Sequence, residues 1–358
     1  MTAAVETPFK VPTIAPDTPQ EVAAALDAAG EENRSVLVWG GGKHQGYGHR
    51  VEPAQVVSTA RLDRIIAYEP EDLTLVVEAG ARLGEIEDLL AKDRRTTALP
   101  ESVPDATVGG VIACGISGYR RHRYGPTRDR VLEVTLATGD GRIVKGGGRV
   151  VKNVTGYDLP RLATGSLGSL GVITSVCLKL WPLAEATATV PIDDPAQALH
   201  LLYRPLAVLR TDHGSYAFIQ GTGAEVDSQA ARVGGARSDG LDWPDPPAGD
   251  VSISIRVPPA LTGSFTDLLP SDWRYVAQYG VGEIHAAFAE ADLPFLERLR
   301  SKAEAAGGAL VLAGGPDSLY ASFGPWGSPP AGLSIQRRLI AGFDPRRVVN
   351  PGRMPGGL

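Results

Sequence analysis

The 358-residue sequence predicts an α+β protein of more than one domain. Three observations lead there. The chain is longer than one ordinary hydrophobic core supports. Its first half alternates short β-branched strands with amphipathic helices and glycine-rich segments. Beyond Trp181-Pro182 the glycine-rich pattern fades into strands and helices that suggest an antiparallel sheet with helices on one face.

Taken in order, Thr18-Pro19-Gln20-Glu21 reads as a helix start: Thr18 as N-cap, Pro19 at the first helical position, Glu21 closing a capping box. Val22, Leu26 and Ala29 give that helix an apolar edge and Gly30 ends it. A short strand over Ser35–Trp39 then empties into Gly40-Gly41-Gly42. Three consecutive glycines are costly in backbone entropy, so they demand a reason. Either a tight turn needs them, or the bare main chain approaches a ligand and its N–H groups form a nest for phosphate or pyrophosphate. Leu73–Ala79 is a strand. Leu83, Ile86, Leu89 and Leu90 recur at helical spacing.

Thr107–Gly118 interleaves small and apolar residues with almost no charge, so it is expected to be buried with its backbone pressed against something. An arginine cluster, Arg120, Arg121 and Arg123, follows at once. Val131–Ala137 is a strand. Gly165, Gly168 and Gly171 fall every third residue, unlike the Rossmann G-x-G-x-x-G, and no Walker lysine follows. Val172–Leu180 is a strand stopped by Trp181-Pro182. In the second half, Tyr275–Tyr279 and Glu283–Phe288 pair as a hairpin, Leu293–Ala306 is amphipathic, and Ser334–Ala341 is the last helix.

Composition narrows the function classes. A net charge of −6 disfavours a general nucleic-acid binder. Cys114 and Cys177 lie among apolar neighbours and read as buried thiols of a reducing compartment. The N-terminus lacks signal-peptide features and no apolar run reaches the ~18 residues of a membrane span. A cytoplasmic protein without direct membrane insertion is expected.

Several motifs occur in fixed order. They are the triple glycine, Thr107-Val108-Gly109-Gly110, Tyr124-Gly125-Pro126-Thr127-Arg128-Asp129, Lys152-Asn153 with Gly156-Tyr157-Asp158, Gly165–Gly171, and Asn350-Pro351-Gly352. Together they resemble the vanillyl-alcohol oxidase (PCMH-type) FAD-binding family, and within it the FAD-binding subunits of glycolate oxidases. The resemblance is strongest over 36–182. It implies a PCMH-type FAD-binding domain of two α/β subdomains over 1–183, a smaller antiparallel-sheet cap over 184–335, and a C-terminal segment, 336–358, returning to the flavin.

By that resemblance, Gly40, Gly41, Gly42, Lys43 and His44 hold the pyrophosphate. Thr107, Gly109, Gly110, Ala113, Gly115 and Ser117 run along the pyrophosphate, ribityl chain and ring. Gly168, Gly171, Val172 and Ile173 lie near the ribose and adenine, and Asn350 near the ring. Some relatives tether FAD through a histidine directly after the glycines; here Lys43 takes that place, so noncovalent FAD is expected. The resemblance further implies oxidation of a small 2-hydroxy acid such as glycolate or D-lactate, with hydride passing to flavin N5. Electrons then leave to a partner, in a complex with a second flavoprotein and an iron–sulfur subunit. The alternative is a relay or assembly subunit that binds FAD but no substrate.

Catalytic candidates are His285 as base, on a strand of the second half, Tyr157 before the third glycine segment, and Arg121 as carboxylate fork. Arg121 and Arg123 share a face if their segment is extended. The histidine-rich metal cluster of catalytic relatives has no counterpart among the six histidines, so no metal is expected.

Overall fold

A computed structural model describes residues 7–100, 103–149, 156–234 and 236–358. Lys152 and Asn153 of the motif series lie outside the described residues.

A parallel three-stranded sheet begins the first unit: β1 (Thr13–Ile14), β2 (Val36–Trp39) and β3 (Gln55–Ser58), in the order β1-β3-β2. Helix α1 (Pro19–Glu31) packs Val22, Leu26 and Ala29 onto it. Thr18 caps α1 by accepting from Glu21 N–H, but the Glu21 carboxylate accepts from Asp17 N–H at 2.7 Å. The reciprocal half of the box is therefore shifted one residue outward.

An antiparallel five-stranded sheet follows. It contains β4 (Ile65–Glu69), β5 (Thr74–Glu78), β6 (Val131–Ala137), β7 (Ile143–Gly147) and β8 (Val172–Lys179), in the order β4-β5-β8-β6-β7. Helices α2 (Leu83–Ala91) and α3 (Val108–Cys114) share its core with Leu75, Val77, Val134 and Val176. The small-and-apolar segment after Thr107 is thus a helix. Thr107 accepts from Gly110 N–H as N-cap, and Gly115 closes it in the left-handed conformation. A short helix α4 (Leu159–Ala163) follows.

The second unit comprises Gly118–Gly125 and Leu183–Ser328, while Met1–Ser117, Pro126–Pro182 and Pro329–Leu358 make up the first. An eight-stranded antiparallel sheet dominates it. Its strands are β9 (Ala186–Ile192), β10 (Ala207–Thr211), β11 (Gly214–Gly221), β12 (Ser238–Asp239), β13 (Val251–Arg256), β14 (Arg274–Tyr279), β15 (Glu283–Phe288) and β16 (Ala309–Gly314). Their order is β12-β9-β11-β10-β14-β15-β13-β16.

Alternation along these strands separates two faces. Ile253, Ile255, Ala277, Ile284 and Ala286 join the core formed with α5 (Pro195–Leu201), α6 (Gly223–Val233), α7 (Thr262–Thr266) and α8 (Leu293–Ala305). Ser254, Arg256, Gln278, Glu283 and His285 have the opposite parity and share the other face, where Phe218 and Leu209 pack with Tyr119 and Trp243. Arg121–Tyr124 forms a helical turn, so Arg121 and Arg123 do not share a face as an extended chain would place them.

The last helix, α9 (Leu333–Phe343), returns the chain to the first unit. Asp344 then accepts from Val348 N–H at 3.0 Å and Val349 N–H at 2.8 Å. Val349 pairs with Val36 in a parallel bridge beside β2.

In the helix-side core of the second unit, Trp273 stacks on Phe288 with centroids 3.8 Å apart and meets Phe295 edge-on at 5.5 Å. Truncation there leaves a cavity, so Trp273→Ala is expected to destabilise the protein by about 3–5 kcal/mol, read by chemical denaturation. A loss below about 1 kcal/mol would mean that this aromatic cluster does not anchor the sheet.

Candidate functional site

Strand β2 runs apolar up to Trp39 because its side chains bury against α1 and β3, and the chain leaves it through Gly40-Gly41-Gly42. These glycines line a cleft enclosing about 630 Å³, part of it open to solvent. Thr59 follows β3 and Ala79 follows β5, so the cleft lies at carboxyl ends of strands, the usual ligand position in sheet proteins with helical cover. Side chains cannot be added to the loop freely: a Cβ on Gly41 would stand 2.7 Å from Asp105 O, and Gly42, at φ +71°, would meet the Trp39 ring.

The main-chain N–H groups of Gly40, Gly41, Gly42, Lys43, His44 and Gln45 have no hydrogen-bond partner among the described residues. Six successive donors without such acceptors, with Gly42 left-handed at φ +71°, are available to an anion. Cations line the cleft at Lys43 and Arg353, and among the described residues no carboxylate lines it. Lys43 Nζ stands 3.5 Å from Asp105. His44 Nε2 is buried and has no partner among the described residues. Burial, then the charge of Arg353, lowers the His44 pKa to about 4, so the imidazole is neutral at neutral pH. These groups fit a polyanionic ligand with further polar atoms to meet His44.

Of the residues singled out from sequence, the cleft brings together Gly40, Gly41, Gly42, Lys43 and His44. With them stand Thr107, Gly109, Gly110 and Ala113 of the α3 segment, Gly168, Gly171 and Ile173 of the third glycine segment, and Asn350. Some of these act on the protein rather than offering free groups. Gly109 N–H donates to Ala79 O at 2.8 Å, and its missing side chain lets α3 touch β5. Asn350, 1% exposed, accepts from Val38 N–H at 2.9 Å and donates to Leu167 O at 2.8 Å.

Gly115, Ser117 and Val172 do not line the cleft. Gly115 terminates α3, Ser117 Oγ accepts from Thr127 N–H at 3.1 Å, and Val172 points into the core of the parallel sheet. Strand alternation allows only one of Val172 and Ile173 to reach the cleft. Sequence reading missed Thr59, Ala79, Ala106, Cys114, Leu167 and Arg353. Only the strand-end positions of Thr59 and Ala79 could have flagged any of them.

The catalytic candidates fall elsewhere. Tyr157 is 91% exposed, and its phenol has no hydrogen bond or ring contact among the described residues. In the second unit Arg121 Nη1 donates to Glu283 Oε2 at 2.8 Å, and Arg256 Nε to Oε1 at 3.3 Å. Burial pushes the Glu283 carboxyl up, but the charges around it outweigh that and hold it below its ordinary range. His285 Nε2 lies 3.8 Å from Glu283. Burial lowers its pKa, and the two arginines lower it further against Glu283, so it is neutral. Beside them Gln278 is 1% exposed, and neither end of its amide has a partner among the described residues.

A strand-end cleft lined by main-chain donors and cations suits a polyanionic ligand such as a diphosphate. Residues 12–147 match the family model described as an FAD binding domain, and the match supports FAD as the cofactor. The chain is 40% identical to glycolate oxidase subunit GlcE of Escherichia coli K12 over 128 residues, 35% of this chain and 37% of that protein. It is 35% identical to glycolate oxidase subunit GlcD of Bacillus subtilis, over 49% of this chain and 38% of that one. It is 31% identical to a D-lactate dehydrogenase of Archaeoglobus fulgidus, over 51% and 41%. The matched stretches therefore span less than half the length of these relatives. Alkyldihydroxyacetonephosphate synthase shares the fold, with a TM-score of 0.66 at 16% identity over 96% of this chain and 77% of that one. The fold is the PCMH-type FAD-binding fold. Among the described residues no group of His, Cys, Asp or Glu could hold a metal ion, and no helix is long and apolar enough to cross a membrane.

The lowered pKa of His44 has a pH signature. Unfolded, the ring protonates near 6.5; folded, only near 4. Between those values the unfolded state binds the extra proton, so this residue removes stability as pH falls from 6.5 to 4 and nothing above. His44→Gln should flatten the stability–pH slope in that window, by about 3 kcal/mol at most across it. Denaturation midpoints from pH 4 to 8 would check this. An unchanged slope would mean that the ring is not buried neutral.

Proposed function

We propose that this chain is the FAD-carrying subunit of a cytoplasmic complex that oxidises a small 2-hydroxy acid of the glycolate or D-lactate type. The observation that carries the reading is the loop Gly40–Gln45, with six unpartnered N–H groups in a cleft of an FAD-binding domain. That loop would receive the diphosphate bridge, with Lys43 adding charge from the rim. The neutral His44 would donate to or accept from a polar cofactor atom, and Ile173 and Ala113 would supply apolar wall. When bound, FAD supplies the acceptor for the substrate hydride at its N5 position. Noncovalent binding follows from the place of Lys43 directly after the glycines.

The substrate-handling groups are assigned to the polar sheet face of the second unit. Two guanidinium groups, Arg121 and Arg256, share one carboxylate, Glu283, leaving one net positive charge beside a neutral His285. A positive site with a neutral imidazole suits a 2-hydroxy carboxylate: the charge attracts the carboxylate, and the imidazole accepts the hydroxyl proton. Tyr157 is given no role, since an exposed phenol without neighbours has no fixed geometry. Electrons would pass to a second flavoprotein and an iron–sulfur subunit; the relatives from E. coli and B. subtilis are each named as a subunit of glycolate oxidase, which supports an assembly of several chains.

A second reading has one observation in its favour. Arg121 is already held by Glu283 and is not a free fork. In this reading the chain binds FAD and relays electrons without touching substrate.

Anaerobic titration of the FAD-loaded chain separates the two. Bleaching of the flavin absorbance by glycolate or D-lactate, lost at least about 100-fold in rate in His285→Gln, is expected for the first reading. Persistent yellow colour with both acids, in the isolated chain and with candidate partner subunits added, would overturn it.

A further inference from the structure

Arg353 carries an inference that the FAD-domain match, which ends at residue 147, does not touch. Its side chain is 4% exposed. Nε donates to Tyr47 O at 3.1 Å and Nη2 to His44 O at 3.2 Å. The main chain repeats the contact, since His49 N–H donates to Arg353 O at 3.0 Å. One planar fork thus gathers carbonyls from both ends of the His44–Tyr47 stretch, which overlaps the end of the array of N–H groups without partners among the described residues. Within one planar peptide the carbonyl and the N–H point in opposite directions. Holding the His44 carbonyl therefore fixes the direction of the Gln45 N–H, the last of the array, and holding the Tyr47 carbonyl anchors the stretch that follows.

We propose that Arg353 is a positioning residue for the diphosphate bridge: it pre-shapes the Gly40–Gln45 loop, so that ordering the loop does not have to be done by the cofactor. The proposal rests on the reading that this loop receives the diphosphate. It does not depend on which substrate is oxidised, because its readout is binding rather than turnover.

The geometry requires the fork. A lysine keeps the charge but offers one compact ammonium, which cannot reproduce the planar pair of bonds to two carbonyls. Arg353→Lys and Arg353→Met are compared with wild type as full chains stripped of flavin. Two quantities are read: the Kd for FAD, and the rise in melting temperature of the apoprotein produced by inorganic pyrophosphate. Wild type is expected to melt several degrees higher with millimolar pyrophosphate. Arg353→Lys is expected to raise the FAD Kd about 30-fold and to lose most of the pyrophosphate increment. A purely structural loss would lower the baseline melting temperature and leave that increment in place.

Arg353→Met is expected to behave at least as badly. Should it fail to fold, the lysine variant still decides the matter. Wild-type FAD affinity and a full pyrophosphate increment in Arg353→Lys would overturn the proposal, as would a wild-type protein indifferent to pyrophosphate. Failure of the 2-hydroxy-acid titration with flavin still bound would leave this inference standing and remove only the substrate reading.

Discussion

The clasp of the C-terminal segment on the glycine-bearing loops is the constraint on which the first unit depends. Asn350 sits between β2 and the third glycine segment, holding Val38 N–H with its amide oxygen and Leu167 O with its amide nitrogen. Its own N–H donates to Val36 O at 2.8 Å, and its φ of +47° is a conformation asparagine tolerates better than most residues. Leu167 is itself at φ +51°. Two segments separated by well over a hundred residues thus share one buried amide. Removing it would strand a buried donor and a buried acceptor, each worth about 1–3 kcal/mol. Asp344 prepares this contact by tying down Val348 and Val349 just before it.

The same clasp explains why a loop can afford to leave its donors idle. A half-buried run of free N–H groups is unfavourable, and three glycines add entropy that the folded state must overcome. Neighbouring elements bear that cost: β2 fixes one end of the loop, and Arg353 with Gly48 fixes the other. What remains unsatisfied is then concentrated where an anion can satisfy it. Neutral His44 belongs to the same logic. A protonated ring beside Arg353 would place two cations in contact, whereas the neutral ring leaves a polar nitrogen waiting for a partner.

Local signals made much of this legible. The glycine triplet stood out because nothing but close approach or a turn explains it, and strand and helix positions in both halves followed from periodicity. The α3 segment was readable in principle, since Thr107 three residues before Gly110 and glycine at 115 are helix-cap signals. The small residues hid the apolar period that usually accompanies them. What sequence could not supply were contacts across long separations. Arg353 lies 306 positions from Tyr47, and nothing near either residue announces the pairing. Glu283 reads as an ordinary strand acid until Arg121, 162 positions away, is found on its carboxylate. Val172 and Ile173 show the limit of motif transfer: neighbouring residues on a strand cannot both face one cleft.

The polar face of the second unit poses the remaining physical question, why an acid should be buried at the centre of a sheet. A lone buried carboxylate would be protonated or excluded. Glu283 is held below its ordinary range because His285, Arg256 from the adjacent strand and Arg121 from a helical turn together outweigh its desolvation. Such an arrangement rarely improves on apolar packing for stability alone. The amide of Gln278, directly across from Glu283 in the β14–β15 register and without a partner among the described residues, adds a further cost with no folding benefit. Polar groups retained against the stability gradient, beside the His285 imidazole, are the pattern on which the proposed substrate-handling role rests. That is why the substrate-handling role is assigned to Glu283's cluster and not to the exposed Tyr157, whose freedom costs the fold nothing.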